Sequence, residues 1–395
     1  MKKFFLIAAA AIVAFASCSK NETPLVQDQD KAISFGTYTG RTVTKADPDF
    51  FIPKTQTWLN QGQAFGVYAY NTESTPFAGT IATTTKKFMV NEKVTFSGSS
   101  ASDATDYEKY SYENKKYWPN DEANNLLTFW AYYPYGKLTG GYGDNAFTAG
   151  TDPTKMVDLL VSDVKEDMTY TKATKVGTVG VVPFTFHHAL TRVQFLVKSQ
   201  AEYEGATITL NSLVVKGVYD NGTITPAFAE GKTTYSWATP VGGEPAVYEV
   251  CAGDANINTD GTYFPIIVGQ TTGQDAAAAA DTVKYIYLMI PQDIADVTAE
   301  IEYTVTSSDQ NVDPVVNKVT VNLATTAVSE WIMNKNILYT FNIGLKPIEF
   351  TATVTDWDDL TTVEFIIPPV TNTSDNDNSG TETGDNDNPT TGGGN

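Results

Sequence analysis

Cysteine is nearly absent from this chain, which has two in 395 residues. Cys18 directly follows a leader-like segment and is expected to be acylated, which leaves Cys251 as the only thiol. Disulfides within the chain therefore cannot stabilise the fold. Histidine is as scarce, with His187 and His188 as the only two. The sequence also lacks HExxH, CxxC and G-x-S-x-G spacings, which mark common metal and serine-hydrolase sites. The fold must therefore depend on packing, and no catalytic motif is present.

Basic residues are few, with 26 Lys and Arg against 46 Asp and Glu and a formal net charge of −20. Proteins that bind nucleic acid neutralise phosphates with basic surfaces, so this balance argues against a nucleic-acid partner. Net charge of this size favours solubility and says little about fold. Apolar residues make up 42% of the chain and aromatic residues 12%. That is enough for one large core or two medium ones.

The one long apolar run lies at the N-terminus and is too short to span a membrane. Two lysines precede an apolar run over residues 4–15, and two small residues stand directly before Cys18. This order predicts an export signal over residues 1–17, followed by a cysteine that is acylated with palmitate-type chains. Acyl chains hold a protein to a membrane by apolar burial, so the rest of the chain can be soluble. An ordinary signal peptide with an incidental cysteine is the alternative.

From Ile33 onward apolar residues recur with a period of two, bounded by Gly, Asn, Asp and Pro, which is typical of half-buried strands. The number of short strands exceeds what one sandwich uses and favours two in tandem, with a boundary near residues 198–205. A segment from 371 to 395 has almost no apolar residues and is predicted to be disordered. The predicted strands are 33–38, 64–70, 87–90, 94–96, 126–133, 157–161, 183–186, 192–197, 207–218, 263–268, 283–290, 299–305, 318–323, 337–343, 350–355 and 362–367.

Several residues could bind a metal, a sugar or a substrate, but each also has a plain structural explanation. His187 and His188 are neighbours in a strand-like segment and would point to opposite faces, so they should not share a metal ion. Acidic residues at 356, 358 and 359 leave a glycosidase open, although chance carboxylates are common in so acidic a chain. Residues 375–386 match only the first half of a calcium-loop pattern. Tyr132, Tyr133 and Tyr135 could stack on sugars, but their apolar neighbours favour core positions.

Five separated segments share a pattern: FGVYAY at 65–70, YWP at 117–119, LTFWAYYP at 127–134, FHHALTRV at 186–193 and VTDW at 354–357. In this order, behind Cys18, they resemble one family, the fimbrillin or Mfa-like proteins of the Bacteroidales, which build pili from lipoprotein precursors. The resemblance runs from Cys18 to about Trp357 and implies an all-β fold of two tandem antiparallel β-sandwich domains of the transthyretin-like kind. The disordered C-terminal tail predicted from composition departs from the usual stalk subunit of that family.

The resemblance also implies a mechanism of assembly. An acylated precursor reaches the outer membrane surface, and a trypsin-like protease cuts it after a basic residue and removes the first strand. The open groove then accepts an extended segment from another copy or a related pilin. In this sequence Arg41 is the first candidate for the cut and Lys45 the second. Val363, Phe365 and Ile367 alternate near the C-terminus and are the candidate donor residues.

These inferences predict five segments and a structural function. The chain is predicted to be a fimbrial subunit for adhesion, without catalytic residues, cofactor or metal. A surface lipoprotein that does not polymerise and binds glycan or host protein, as a tip or anchor does, remains the alternative. A carbohydrate-active enzyme is a third possibility. The segments are a signal peptide at 1–17, a propeptide with the first strand at 18–41, sandwiches at 42–200 and 201–370, and the tail at 371–395.

Overall fold

The computed structural model describes residues 31–39, 62–82, 84–98, 109–153, 155–175, 177–199, 205–264, 286–344 and 349–356. Regular structure in these ranges is strand, apart from short 3-10 turns such as Glu122–Asn124. The predicted all-β fold is confirmed. Across the same ranges, no helix has the length and apolar character needed to cross a bilayer.

Twenty-five strands occur in these ranges, and eleven of them precede the point where the sheets change. The first eleven are β1 Ser34–Thr39, β2 Ala64–Glu73, β3 Lys86–Phe96, β4 Tyr110–Ser111, β5 Leu126–Tyr133, β6 Asn145–Thr148, β7 Leu160–Ser162, β8 Lys165–Met168, β9 Thr174–Lys175, β10 Thr178–Val179 and β11 Val181–His188.

The other fourteen strands form the second half of the molecule. They are β12 Thr191–Ser199, β13 Ala206–Val218, β14 Asn221–Ala229, β15 Lys232–Ala238, β16 Ala246–Cys251, β17 Ala255–Ile257, β18 Thr262–Phe264, β19 Tyr287–Met289, β20 Gln292–Asp293, β21 Thr298–Ser307, β22 Val315–Asn322, β23 Glu330–Trp331, β24 Lys335–Ile343 and β25 Glu349–Asp356.

The N-terminal sheet has the order β1-β11-β7-β5-β2-β3-β4, with β8 beside β5. Its central strand β5 is buried on both faces because successive side chains point to opposite sides. Phe129 belongs to a first core with Phe35, Phe65 and Phe184. Trp130, the next residue, belongs to a second core that extends through the C-terminal half. The N-terminal sheet is therefore a middle layer between two apolar cores.

Two five-stranded sheets form the C-terminal half. One has the order β18-β12-β24-β25 with β19 beside β12, and the other β16-β13-β21-β22 with β17 beside β13. Phe195 of β12 stacks on Tyr339 of β24 with ring centroids 5.7 Å apart. Both rings lie in the second core together with Val215 of β13 and Ile301 of β21. The two sheets therefore pack face to face as a sandwich.

The hydrogen bonding changes from one set of sheets to the other at Ala189–Leu190. Strand β12 pairs with β18, β19 and β24, which all lie in the second half. The predicted boundary between 200 and 201 would leave β12 in the first unit. We propose the earlier position as the boundary because it keeps every ladder of β12 within one unit.

A hairpin of β14 and β15 links the two halves. Strand β6 of the N-terminal half pairs with β14, so one three-stranded sheet crosses the boundary. Trp237 Nε1 of the hairpin donates to Ala189 O at 2.9 Å. Trp130 Nε1 donates to Tyr235 OH at 2.9 Å, and Val164 N donates to Thr233 Oγ1 at 2.8 Å. The halves are thus joined by a sheet and side-chain hydrogen bonds as well as by the chain itself.

Several details differ from the sequence predictions. Segments 87–90 and 94–96, predicted as separate strands, are one strand β3, because Asn91 adopts a left-handed φ of 48° and the ladder continues past it with a register shift. Two ladders inside the all-β fold are parallel, β1 with β11 and β12 with β24. Period-two patterns carry no information on strand direction, so this could not be predicted.

Candidate functional site

The first strand β1 lies at the edge of the N-terminal sheet, and its residues 35–37 are buried. Ile33 and Phe35 are each 1% exposed and Thr37 is 2% exposed, while Ser34 between them is half-buried. The alternation predicted for this strand is present over residues 33–37, with Ile33 and Phe35 in the first core and Thr37 hydrogen-bonded to Tyr110. We call the space that β1 fills, between β11 and residues 112–118, the β1 slot.

Backbone groups hold β1 along one side and, on the other side, residues 31–33 that lead into it. Along one side β1 runs parallel to β11, in a register that pairs Ser34 with Val181. On the other side Ile33 N donates to Lys116 O at 2.9 Å, and Trp118 N donates to Lys31 O at 3.0 Å. Removing residues 31–39 would leave unpaired donors and acceptors on both sides of the slot, which is unfavourable unless another strand replaces them.

The floor of the β1 slot is aromatic. Phe35 stacks on Phe184 with ring centroids 5.8 Å apart and an interplanar angle of 17°. Its edges meet Phe65 at 6.3 Å, Phe129 at 6.4 Å and Tyr112 at 5.5 Å. Full burial of a phenylalanine side chain contributes about 1.5–3 kcal/mol, so Phe35 is a major anchor of the strand.

Polar atoms around β1 also form hydrogen bonds. Tyr112 OH donates to Ile33 O at 2.9 Å, and the hydroxyls of Thr37 and Tyr110 are 2.5 Å apart. Burial raises the pKa of Tyr112 to about 12, because its ionised form would lose solvation. Gly180 O accepts from Ser34 N at 3.1 Å and from Trp118 Nε1 at 3.0 Å.

Sequence reasoning found β1 but missed the other parts of the slot. Tyr112, Trp118 and Gly180 lie in loops, and Lys175, whose side chain lies over Gly36 of β1, is in the two-residue strand β9. No periodicity marks such residues as part of a site. The YWP segment around Trp118 contributed to the family resemblance, and that was the only signal available for this side of the slot. Lys175 and Gly180 carried no signal in the sequence.

The lipidation, cleavage and donor residues predicted from the sequence stay predictions. All six lie outside the described residues: Cys18, Arg41, Lys45, Val363, Phe365 and Ile367. Strand β1 ends at Thr39, so both candidate cleavage residues follow it closely in the sequence.

The two histidines contact different aspartates. His187 Nε2 lies 3.0 Å from Asp163 Oδ1, and His188 Nδ1 lies 2.8 Å from Asp158 Oδ2. Burial would raise the pKa of Asp163, but the hydrogen bond and the charge of His187 outweigh it and hold that pKa below its usual value. Over the described ranges no three His, Cys, Asp or Glu residues cluster closely enough to hold a metal ion. Each histidine thus contacts a carboxylate of its own in the described part of the chain.

One polar cleft of about 630 Å³ lies beside Tyr135, which is 38% exposed. The Lys93 ammonium sits 5.6 Å from the Tyr135 ring centroid, and Asn91, Glu92 and Asn114 also line the cleft. Of the other two tyrosines considered as sugar platforms, the one at 132 is fully buried and the one at 133 half-buried. Of the three, Tyr135 alone offers an exposed ring.

A family model described as fimbrillin-like matches residues 44–357, most of the chain. The chain belongs to the fimbrillin-like family. The resemblance drawn from separated sequence segments is thereby confirmed, and the matched range contains most of the β1 slot but begins after β1.

Three known proteins are similar to this chain. The fimbrium subunit Fim1C of Phocaeicola vulgatus is 27% identical over 203 residues, which are 48% of this chain and 49% of that protein. The match thus spans about half the length of that curated relative. A fimbrial protein of Bacteroides vulgatus aligns with TM-score 0.54 and 17% identity over 82% of this chain and 99% of that chain. A putative cell adhesion protein of Bacteroides uniformis aligns with TM-score 0.45 and 17% identity over 84% and 100%. At 17% identity, the alignment with the Bacteroides vulgatus structure supports the fold alone.

Proposed function

We propose that this chain is a structural subunit of a cell-surface fimbrium that polymerises by exchange of its first strand. The observation that carries the proposal is the β1 slot, in which the β11 ladder, backbone bonds to residues 31 and 33 and an aromatic floor together hold one short strand and its lead-in. Family membership supports a fimbrial role, and the name of the Phocaeicola vulgatus relative agrees with it. The function is structural rather than catalytic.

Maturation follows from the order of segments along the chain. Export and acylation at Cys18 hold the precursor to the outer membrane, with β1 already in its slot. A trypsin-like protease then cuts after Arg41 or Lys45, close behind the end of β1. The cut breaks the covalent link between β1 and the rest of the chain, so a β1 that opens locally can leave the molecule.

Replacement of β1 by a segment of another subunit restores what the cut removes. Val363, Phe365 and Ile367 alternate as the inward residues of β1 do, and they would occupy the floor of the slot. Each such side chain contributes about 1.5–3 kcal/mol on full burial. Each backbone hydrogen bond adds about 0.5–1.5 kcal/mol net, against the cost of ordering the segment.

The mature N-terminus tests this proposal. Mass spectrometry of filaments sheared from the cell surface should find chains that begin after Arg41 or Lys45. The double variant R41A/K45A, or deletion of residues 362–370, should abolish filaments. The variant K172A, which changes an exposed lysine on the same half, should not. Filaments built from chains that still begin at acylated Cys18 would refute the cleavage step.

The cleft beside Tyr135 supports a second candidate function, binding of glycan by a subunit at a tip or anchor. An exposed aromatic ring beside amide, carboxylate and ammonium groups can stack on a sugar and donate or accept hydrogen bonds. A glycan array with the purified protein should detect a ligand that Y135A loses and Y135F retains. Equal signals from all three proteins would exclude this cleft.

A further inference from the structure

Lys175 is buried, with 3% of its surface exposed, which is rare for a lysine. It lies in β9, within residues 169–175 and 177–180, which we call the flap. The flap is hydrogen-bonded internally, with Ala173 N donating to Thr169 O at 2.9 Å and Gly180 N donating to Tyr170 O at 3.0 Å. It joins the sheet where Val181 N donates to Ala173 O at 3.2 Å.

The side chain of Lys175 crosses β1 at Gly36. A Cβ at position 36 would lie 2.3 Å from Lys175 Cδ, 2.9 Å from its Nζ and 3.0 Å from its Cε. These are the three nearest atoms, and the first two distances are closer than real Cβ contacts allow. The backbone of Gly36 lies outside the left-handed region, unlike that of Gly180 with φ +81°. Position 36 is thus crowded by Lys175, and backbone conformation alone would allow a larger residue there.

We propose that Lys175 is a gate over the β1 slot and the residue that determines what an occupying strand carries at position 36. Its biological role rests on the strand exchange proposed above. The atoms that cover Gly36 are the distal part of a flexible side chain, so the gate can open by rotation of that side chain without a change in the sheet. A strand with glycine at this position leaves the gate closed, and any larger residue opens it.

This gate distinguishes the strand that leaves from the one that arrives. If Phe365 takes the place of Phe35, the next residue, Ile366, takes the place of Gly36. A branched side chain then meets Lys175, which must swing outward into solvent. Occupation by β1 and by a donor would therefore leave the slot in two different states, closed and open.

Thermal unfolding of the uncut full-length chain tests the gate independently of polymerisation. G36V should lower Tm, and the same substitution in a K175A background should lower it much less. K175M keeps the aliphatic stem and should preserve the loss, which separates steric from charge effects. K172A, at an exposed lysine of the same flap, should leave the loss caused by G36V unchanged. An equal loss with and without Lys175 would overturn the gate.

Peptide binding tests the role of Lys175 in strand exchange. After cleavage at Arg41, a labelled peptide of residues 31–39 should bind the wild-type chain about tenfold more tightly with Gly36 than with valine at that position. In K175A the ratio should fall to near one, and a ratio that stays tenfold would overturn the gate. If neither peptide binds to the cut chain, strand exchange itself fails, while the unfolding experiment still decides whether Lys175 restricts position 36.

Discussion

Replacing Phe35 by alanine should loosen β1 more than any other single change in the strand. Phe35 is 1% exposed and contacts four aromatic rings of the first core. Substitutions of this kind in cores cost about 3–5 kcal/mol, through lost transfer energy and the cavity left behind. Because the neighbouring rings belong to four different segments, the site cannot collapse easily, and we expect the upper half of that range.

The assay is unfolding in urea combined with native-state hydrogen exchange. F35A should lower the free energy of unfolding and should lower the protection of the β1 amides still further, since a local opening of β1 becomes accessible. F195A is the matched control, because Phe195 is also fully buried in an aromatic stack but lies in the second core. It should cost a similar amount while β1 keeps its protection relative to the rest of the sheet.

Two results would refute this reasoning. A loss below about 1 kcal/mol for F35A would mean that the aromatic floor contributes little to holding the strand. An equal change of β1 protection in F35A and F195A would mean that β1 opens only with the whole molecule. In that case the slot would not be a separable unit of stability, and strand exchange would lose its physical basis.

Three further predictions concern titration and the hairpin. Because the pKa of Tyr112 is raised to about 12 in the folded state against about 10 unfolded, its contribution to stability should be full below pH ~10 and lost as pH rises towards 12. Y112F should flatten the dependence of unfolding free energy on pH in that range, and an unchanged curve would contradict the assignment. Asp163 has a lowered pKa in the folded state, so its contribution to the free energy of unfolding should be full above its unfolded pKa of about 3.9 and be lost as pH falls further. D163N should remove this acid dependence, and H187A should weaken it. W237F removes the hydrogen bond to Ala189 O and should cost about 1–3 kcal/mol in urea unfolding, since a buried acceptor loses its partner; no change would show that water replaces it.

Sequence pattern predicted strands best where one face is apolar throughout. Segment 126–133 was predicted with the bounds that β5 has, because aromatic and branched residues fill it. The strand at 33–38 was found at Ser34–Thr39, and 192–197 lies within Thr191–Ser199. In these elements the apolar content is high enough for the period of two to stand out from the background.

The sequence did not predict features that depend on contacts between residues far apart in the chain. The hairpin β14–β15 was missed, since its strands are rich in Thr, Ser and Ala and include Pro226. Its stability comes from tertiary contacts, such as Tyr235 and Trp237 with the N-terminal half, which no local pattern reports. The gate over Gly36 is the same kind of feature, because it depends on a lysine far along the chain that happens to cross one glycine.

The hairpin that crosses between the halves has a mechanical consequence. A load pulling the two ends apart would be shared among the β6–β14 ladder, the Trp237 and Trp130 indole bonds and the connecting peptide, instead of falling on that peptide alone. Bonds loaded together in this way resist rupture better than bonds loaded one after another. Under tension the two halves should therefore unfold together. Single-molecule extension should show one main rupture, whereas two halves joined only by the connecting peptide would give two.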